Sequence, residues 1–207
     1  MATQSARSLD SYQHVRRAVL FVFLLVAGFA LLFVSSYPEQ GELHEAVESV
    51  GISLIGIAII GRLWCTLYIG GRKAAELVQD GPYSITRNPL YVFSSIGAAG
   101  VGAQTGSVTI AVFFGVVTAV SFHFVAWREE RLLSRIFGDS FTAYRARVPR
   151  FFPKLSLYRD SATVTVVPKR LYTTFIDSLV FFAALPISEL IEWLQIHHYL
   201  PIFLRLP

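Results

Sequence analysis

The sequence predicts an all-α integral membrane protein of about five transmembrane helices, with a helical hairpin at about 89–127 and a cytoplasmic amphipathic segment. Three observations predict it. Of 207 residues, 54% are hydrophobic and only 15% charged, where a soluble domain carries closer to a quarter charged. The apolar residues gather in long runs nearly free of charge. Basic residues then alternate between the connections that join those runs.

Four runs approach the roughly 20 residues needed to cross about 30 Å of hydrocarbon. The first is Ala18 to Ser36. Arg16 and Arg17 before it, and Val34-Ser35-Ser36 at its end, also fit a cleaved secretory signal. The apolar stretch is longer than the roughly 7–15 residues of a signal core, which favours a retained helix. The second run, Val47 to about Gly70, contains one charge, Arg62. That side chain is expected to snorkel toward the cytoplasm or to pair with a carboxylate. The third and fourth, Pro89 to Gln104 and Val108 to Trp127, are parted only by Thr105-Gly106-Ser107 and form the hairpin. Ser94, Ala98 and Gly102 make a small-residue stripe that permits close helix packing in lipid. A fifth run, Tyr172 to about Gln195, is interrupted by Asp177, Pro186, Glu189 and Glu192. From Pro186 onward it is either an interfacial helix or the end of a fifth span. Thr163 to Val166 reads as extended loop. Residues 1–16 form a tail and 17–207 one membrane-embedded domain.

Lys and Arg near helix ends set orientation. The tail has Arg7, Arg16 and Arg17, whereas the first connection has Glu39, Glu42 and Glu45 and no basic residue. The second connection has Arg72, Lys73 and Arg87, the third has no charge, and ten basic residues lie between Arg128 and Arg170. The N-terminus is therefore expected in the cytoplasm, with Gly71–Tyr91 and Arg128–Arg170 on that same side. The net charge of +4 reflects this topology and attraction to anionic lipid headgroups. No aromatic-basic module for nucleic acid is present. The single cysteine, Cys65, excludes an internal disulfide and fits no metal-ligand spacing, so no metal centre is expected.

Chemistry in water must come from the two cytoplasmic stretches. In the first, Gly81-Pro82 is a turn signal and Asn88-Pro89 a helix start. The free N–H groups and positive dipole end of that helix can hold a carboxylate or phosphate, with Arg87 directly before it. By itself the segment is equally a capped helix with an interfacial Arg and two belt tyrosines, Tyr83 and Tyr91. The second stretch opens with Glu129-Glu130 as the fourth run leaves the membrane, which a solvated helix end also explains. Phe137, Phe141, Tyr144 and Val148 then recur at helical spacing, an amphipathic helix with its aromatic face in lipid or against the bundle. His123 shares a helix face with Trp127 and Glu130. An ionisable group within a membrane run is a functional candidate, or a neutral His bonded to a neighbouring helix.

The order of these elements resembles the isoprenylcysteine carboxyl methyltransferase family, which includes related membrane phospholipid methyltransferases. The matching pieces are Gly81-Pro82-Tyr83, Arg87-Asn88-Pro89-Leu90-Tyr91, Glu129-Glu130-Arg131-Leu132-Leu133, Phe137-Gly138, Tyr144 and Arg147-Val148-Pro149. They cover roughly residues 75–153. Asn88 departs from the pattern, which most often has His there. A hydrogen-bonding contact survives that change and an imidazole proton carrier does not.

The resemblance implies S-adenosylmethionine in a pocket between the hairpin and the cytoplasmic segment, with Leu77, Val78, Tyr83, Asn88, Pro89, Leu90, Tyr91 and Glu129 at the cofactor. Arg87, Glu130 and His123 are the candidate catalytic residues. The helix N-terminus and Arg87 suit the cofactor's carboxylate, Glu129 or Glu130 its ammonium or ribose hydroxyls, and the two tyrosine rings its adenine or sulfonium. The partners implied are membrane lipids and a lipophilic or amphiphilic methyl acceptor. The short chain hints at a bacterial inner membrane. Two other readings remain: a membrane reductase with a nicotinamide cofactor, and a non-catalytic membrane interaction protein.

Overall fold

The computed structural model describes residues 32, 34–36, 41–71 and 76–206. The N-terminal tail, the first apolar run up to those few residues, and Arg72 and Lys73 lie outside the described residues. Among them the chain forms α1 (Glu42–Ile69), a single turn α2 (Pro82–Ile85), α3 (Pro89–Ala103), α4 (Val108–Arg147), α5 (Pro168–Leu179) and α6 (Ala184–Ile196). The fold is all-helical but for a parallel pairing of three-residue strands, β1 (Val34–Ser36) beside β2 (Leu204–Leu206).

Each boundary has a local cause. The first turn of α1 holds Glu42 and Glu45, acidic groups that suit the positive end of the helix dipole. Pro89 opens α3 at the position where a missing N–H costs nothing. Ser107 caps α4 by accepting a hydrogen bond from the Ile110 amide at 3.3 Å. Gly138 breaks the helical path of α4 with φ 50° and ψ −122°, a left-handed region that disfavours a Cβ. The fourth run and the amphipathic helix are thus one 40-residue element with a kink.

Among the described residues, three helical segments are long and apolar enough to cross a membrane: Glu42–Ile69, Val108–Arg147 and Pro168–Ile196. The fifth run does have spanning length, because a 3-10 segment over Val180–Ala183 carries the chain from α5 into α6. Pro186 lies in the first turn of α6 and has no N–H to donate back to that segment. By contrast α3 has 15 residues, about 22 Å of helix, less than the hydrocarbon thickness. It completes the bundle as a shorter helix packed between α1 and α4. Ile60, Val112, Phe124 and Ile176 are exposed on the outer surface, as lipid-facing side chains are.

Small residues let α1 and α3 approach closely. A Cβ at Gly100 would come within 2.8 Å of the Gly51 carbonyl, and one at Gly51 within 2.8 Å of Ala103. Without a hydrophobic drive between helices in lipid, such contact is what binds them. The stripe named from the sequence is buried too: Gly102 packs on the α4 backbone at Ile110, and Ser94 turns to Arg62.

Arg62 corrects an expectation. Among the described residues it forms no ion pair with a carboxylate. Its Nε donates to Ser178 Oγ of α5 at 2.9 Å, its Nη1 donates to Ser94 Oγ of α3, and the guanidinium lies 5.8 Å from the centre of the Phe181 ring. One guanidinium therefore joins three helices, the fork geometry allowing divergent donors.

Candidate active site

The two stretches expected on one face do meet. The Arg87 amide donates to Pro149 O, the Lys154 amide to Ile85 O and the Gly81 amide to Arg159 O, each at 2.9 Å. Thr86 Oγ1 lies 3.0 Å from Arg150 O and 3.2 Å from Phe151 O. Tyr144 donates its hydroxyl to Tyr83 O at 2.7 Å. The α2–α3 link is thereby laced to the chain that follows α4.

Glu130 sits at the centre of this seam, its side chain 6% exposed. Arg87 Nε donates to its Oε1 at 3.2 Å and Asn88 Nδ2 to the same oxygen at 3.3 Å. Arg150 holds both oxygens, Nε at 3.1 Å to each and Nη2 at 2.7 Å to Oε2. Arg87 Nη1 also donates to Arg145 O at 2.8 Å, and Asn88 Nδ2 to Arg150 O at 3.2 Å. Burial pushes the Arg87 guanidinium below its ordinary value, and Glu130 opposes that shift. Two guanidiniums on one carboxylate leave an excess positive charge beside the N-terminus of α3.

The sequence-derived residues fall into three groups. Arg87, Asn88 and Glu130 are drawn together around that carboxylate. Asn88 occupies the N-cap position without capping through its side chain, since its amide serves Glu130 instead. Leu77, Val78, Tyr83, Pro89 and Leu90 form the packing beneath: Val78 and Leu90 against buried Cys65, Tyr68 and Tyr83, and Leu77 against buried Phe141, Tyr144 and Val148. Pro89 is itself fully buried. The aromatic face of the amphipathic segment thus lies against the bundle. Glu129, Tyr91 and His123 stand at the margin. Glu129 is half-buried, one residue and so about 100° of helix from Glu130. Tyr91 stacks on Phe122 with ring centres 4.6 Å apart. His123 is exposed, its ring 5.7 Å from that of Phe151 and 6.0 Å from Phe124.

The Tyr83 ring is buried in the helix packing, 5% exposed. Burial raises its hydroxyl well above the ordinary tyrosine value, which keeps it neutral. Sequence reasoning missed Arg150, the strongest partner of Glu130, counting it only among the ten basic residues between Arg128 and Arg170. Its place directly after Arg147-Val148-Pro149 was the available signal. A second polar cluster was also missed: Asp160 accepts from Tyr68 OH at 2.6 Å and Tyr158 OH at 2.9 Å, and Arg159 pairs with Asp80 at 3.2 Å.

Residues 49–140 match the phospholipid methyltransferase family, a stretch that contains the hairpin, Asn88 and Glu130. The chain belongs to that family. Over nearly its whole length the chain is similar to two metal-resistance proteins. The nickel-cobalt-cadmium resistance protein NccN of Alcaligenes xylosoxydans xylosoxydans is 37% identical over 96% of this chain and 93% of its own. The cobalt-zinc-cadmium resistance protein CzcN of Cupriavidus metallidurans is 35% identical over 93% of this chain and 88% of its own. The protein-S-isoprenylcysteine O-methyltransferase of Schizosaccharomyces pombe is 36% identical over 37% of this chain and 33% of its own. No solved structure is significantly similar to the chain.

Proposed function

We propose that this membrane methyltransferase moves a methyl group from S-adenosylmethionine to a lipophilic acceptor at the cytoplasmic edge of the bilayer. The observation that carries the reading is the excess positive charge around Glu130 at the N-terminus of α3. A helix N-terminus with a neighbouring guanidinium suits a carboxylate, and the amino-acid end of the donor bears one. Half-buried Glu129 supplies the opposite charge for the donor's ammonium or its ribose hydroxyls. The residues present therefore fit the group, with one revision of roles. Glu130 is occupied by Arg87, Asn88 and Arg150, so it acts as a positioning residue that aims Arg87. Tyr91, stacked on Phe122, is the aromatic ring assigned here to the donor's sulfonium or adenine.

When bound, the donor supplies an electrophilic methyl group. The chain's own task is orientation and exclusion of water, because an in-line displacement at carbon needs no covalent enzyme intermediate. Arg87 and the α3 N-terminus hold the donor's charge, and the apolar seam of Leu77, Val78 and Leu90 keeps the site dry. His123, exposed beside Phe151, takes the proton of any acceptor that must lose one. By extension from the two full-length relatives, the reaction serves resistance to divalent metals.

Calorimetric titration of the detergent-purified chain with S-adenosylhomocysteine tests this. Saturable binding that weakens about tenfold, roughly 1.4 kcal/mol, in Glu129→Gln and in Asn88→Ala supports it. An intact, folded protein that takes up none refutes it, and a nicotinamide cofactor would then be titrated.

A further inference from the structure

The end of the bundle away from Glu130 holds a second convergence of ionisable groups. His44 and Glu48 lie one turn apart on α1, with His44 Nε2 3.3 Å from Glu48 Oε1. Glu192 of α6 comes to the same point, and one donor atom from each of the three residues lies within 4.8 Å of the other two. All three are half-buried. The cluster is built by the fold. His44 lies against Gly106 in the α3–α4 turn, where no Cβ could be accommodated, and its side chain is only 11% exposed. Gln104 Nε2 donates to Glu48 O at 3.1 Å, pinning this part of α1 to the same turn. Among the described residues, no Lys or Arg pairs with Glu48 or Glu192. Two carboxylates thus face one imidazole at a bilayer edge, where unbalanced acidic charge is costly.

We propose that His44, Glu48 and Glu192 bind a first-row divalent cation, with Zn2+ the reference case, and that the cation clamps α6 onto α1. One imidazole and two carboxylates, with no thiolate, is a donor set that Zn2+ accepts, water completing its four positions. Bonds of about 2.0–2.2 Å place neighbouring donors roughly 3.4 Å apart. The His44–Glu48 separation already meets that spacing, and the flexible Glu192 side chain has to close by at most about 1.4 Å. Positions i and i+4 on one helix face are the spacing from which two ligands reach one metal. The site is independent of methyl transfer: the length of α3, about 22 Å, separates the turn beside His44 from the N-terminus beside Glu130. The sequence hid it because spacing along the chain pairs His44 with Glu48 and says nothing of Glu192.

The test uses the tag-free full chain in detergent, with Zn2+ uptake measured by equilibrium dialysis and Co2+ as a spectroscopic probe. One Zn2+ per chain is expected, together with visible Co2+ bands of a four-coordinate site and a melting temperature that rises with Zn2+ concentration. Glu192→Gln, a substitution of nearly equal shape on the outer helix, and His44→Gln should each weaken uptake tenfold or more. Glu45→Gln, exposed on the neighbouring face, should leave it unchanged. Absence of saturable Zn2+ uptake by the intact protein, or wild-type uptake by folded Glu192→Gln, overturns the proposal.

Discussion

Replacing Glu130 by Gln tests whether one buried carboxylate organises the site. Its two oxygens accept from Arg87, Asn88 and Arg150, the shortest contact being 2.7 Å, and both Glu130 and Arg87 are under 10% exposed at the side chain. Gln retains one acceptor and turns an N–H pair toward guanidinium donors. Two guanidiniums are then left without a countercharge, one of them buried. Removing one member of a buried ion pair costs about 3–5 kcal/mol, a fall of roughly a hundred- to several-thousand-fold in the folding equilibrium. Unfolding by a denaturing detergent, followed through the fluorescence of Trp64, Trp127 and Trp193, measures it. Arg150 is 26% exposed, so Arg150→Gln should cost less, about 1–3 kcal/mol, because Glu130 keeps Arg87 and Asn88. The double variant should lose less than the sum of the singles, by about 0.5–3 kcal/mol. A change below about 0.5 kcal/mol in Glu130→Gln, or strict additivity in the double, would refute this account of the seam.

Gly81→Ala should cost roughly 2–5 kcal/mol, because Gly81 has φ 57° and a Cβ there would meet the Tyr68 ring, itself held through its hydroxyl by Asp160; thermal unfolding of the variant checks it. Acid stability should depend on Asp160, whose carboxyl is held below its ordinary value by the hydroxyls of Tyr68 first and Tyr158 second. Because the folded value is the lower one, this contribution is present above the unfolded value of about 3.9 and disappears as pH falls through the folded value. Asp160→Asn should therefore lose stability less steeply than the wild type below about pH 4, as equilibrium unfolding at a series of pH values would record.

How much of this was legible depended on whether a feature is local. The hairpin was readable because Thr105-Gly106-Ser107 is short, polar and flanked by uninterrupted apolar runs. The start of α3 was readable from Asn88-Pro89, although the Asn side chain bonds across the seam and leaves the helix end uncapped by it. The kink at Gly138 was not, since nothing in the spacing of Phe137, Phe141 and Tyr144 separates one kinked helix from two elements. Arg62 was misjudged for the same reason. Periodicity shows that a charge lies in an apolar run, but Ser94 and Ser178 become its partners only when α3 and α5 pack beside α1. Arg87, Asn88 and Glu130 were singled out by an ordered motif. Arg150 was passed over because the count of cations per carboxylate is a property of the folded seam.

That count bears on the departure at position 88. Asn88 donates from one nitrogen to both Glu130 Oε1 and Arg150 O, so the position serves here to join the carboxylate to the chain beyond α4. An imidazole N–H could make either bond, and the exchange of His for Asn removes a titratable ring while sparing a donor. Two guanidiniums beside Asn88 would in any case oppose a further positive charge there. In the reaction proposed, proton transfer therefore belongs outside the seam, and His123 is the imidazole that the fold sets at its margin beside Phe151. An acceptor that loses no proton on methylation would leave His123 idle, whereas an amine or thiol acceptor would make it necessary.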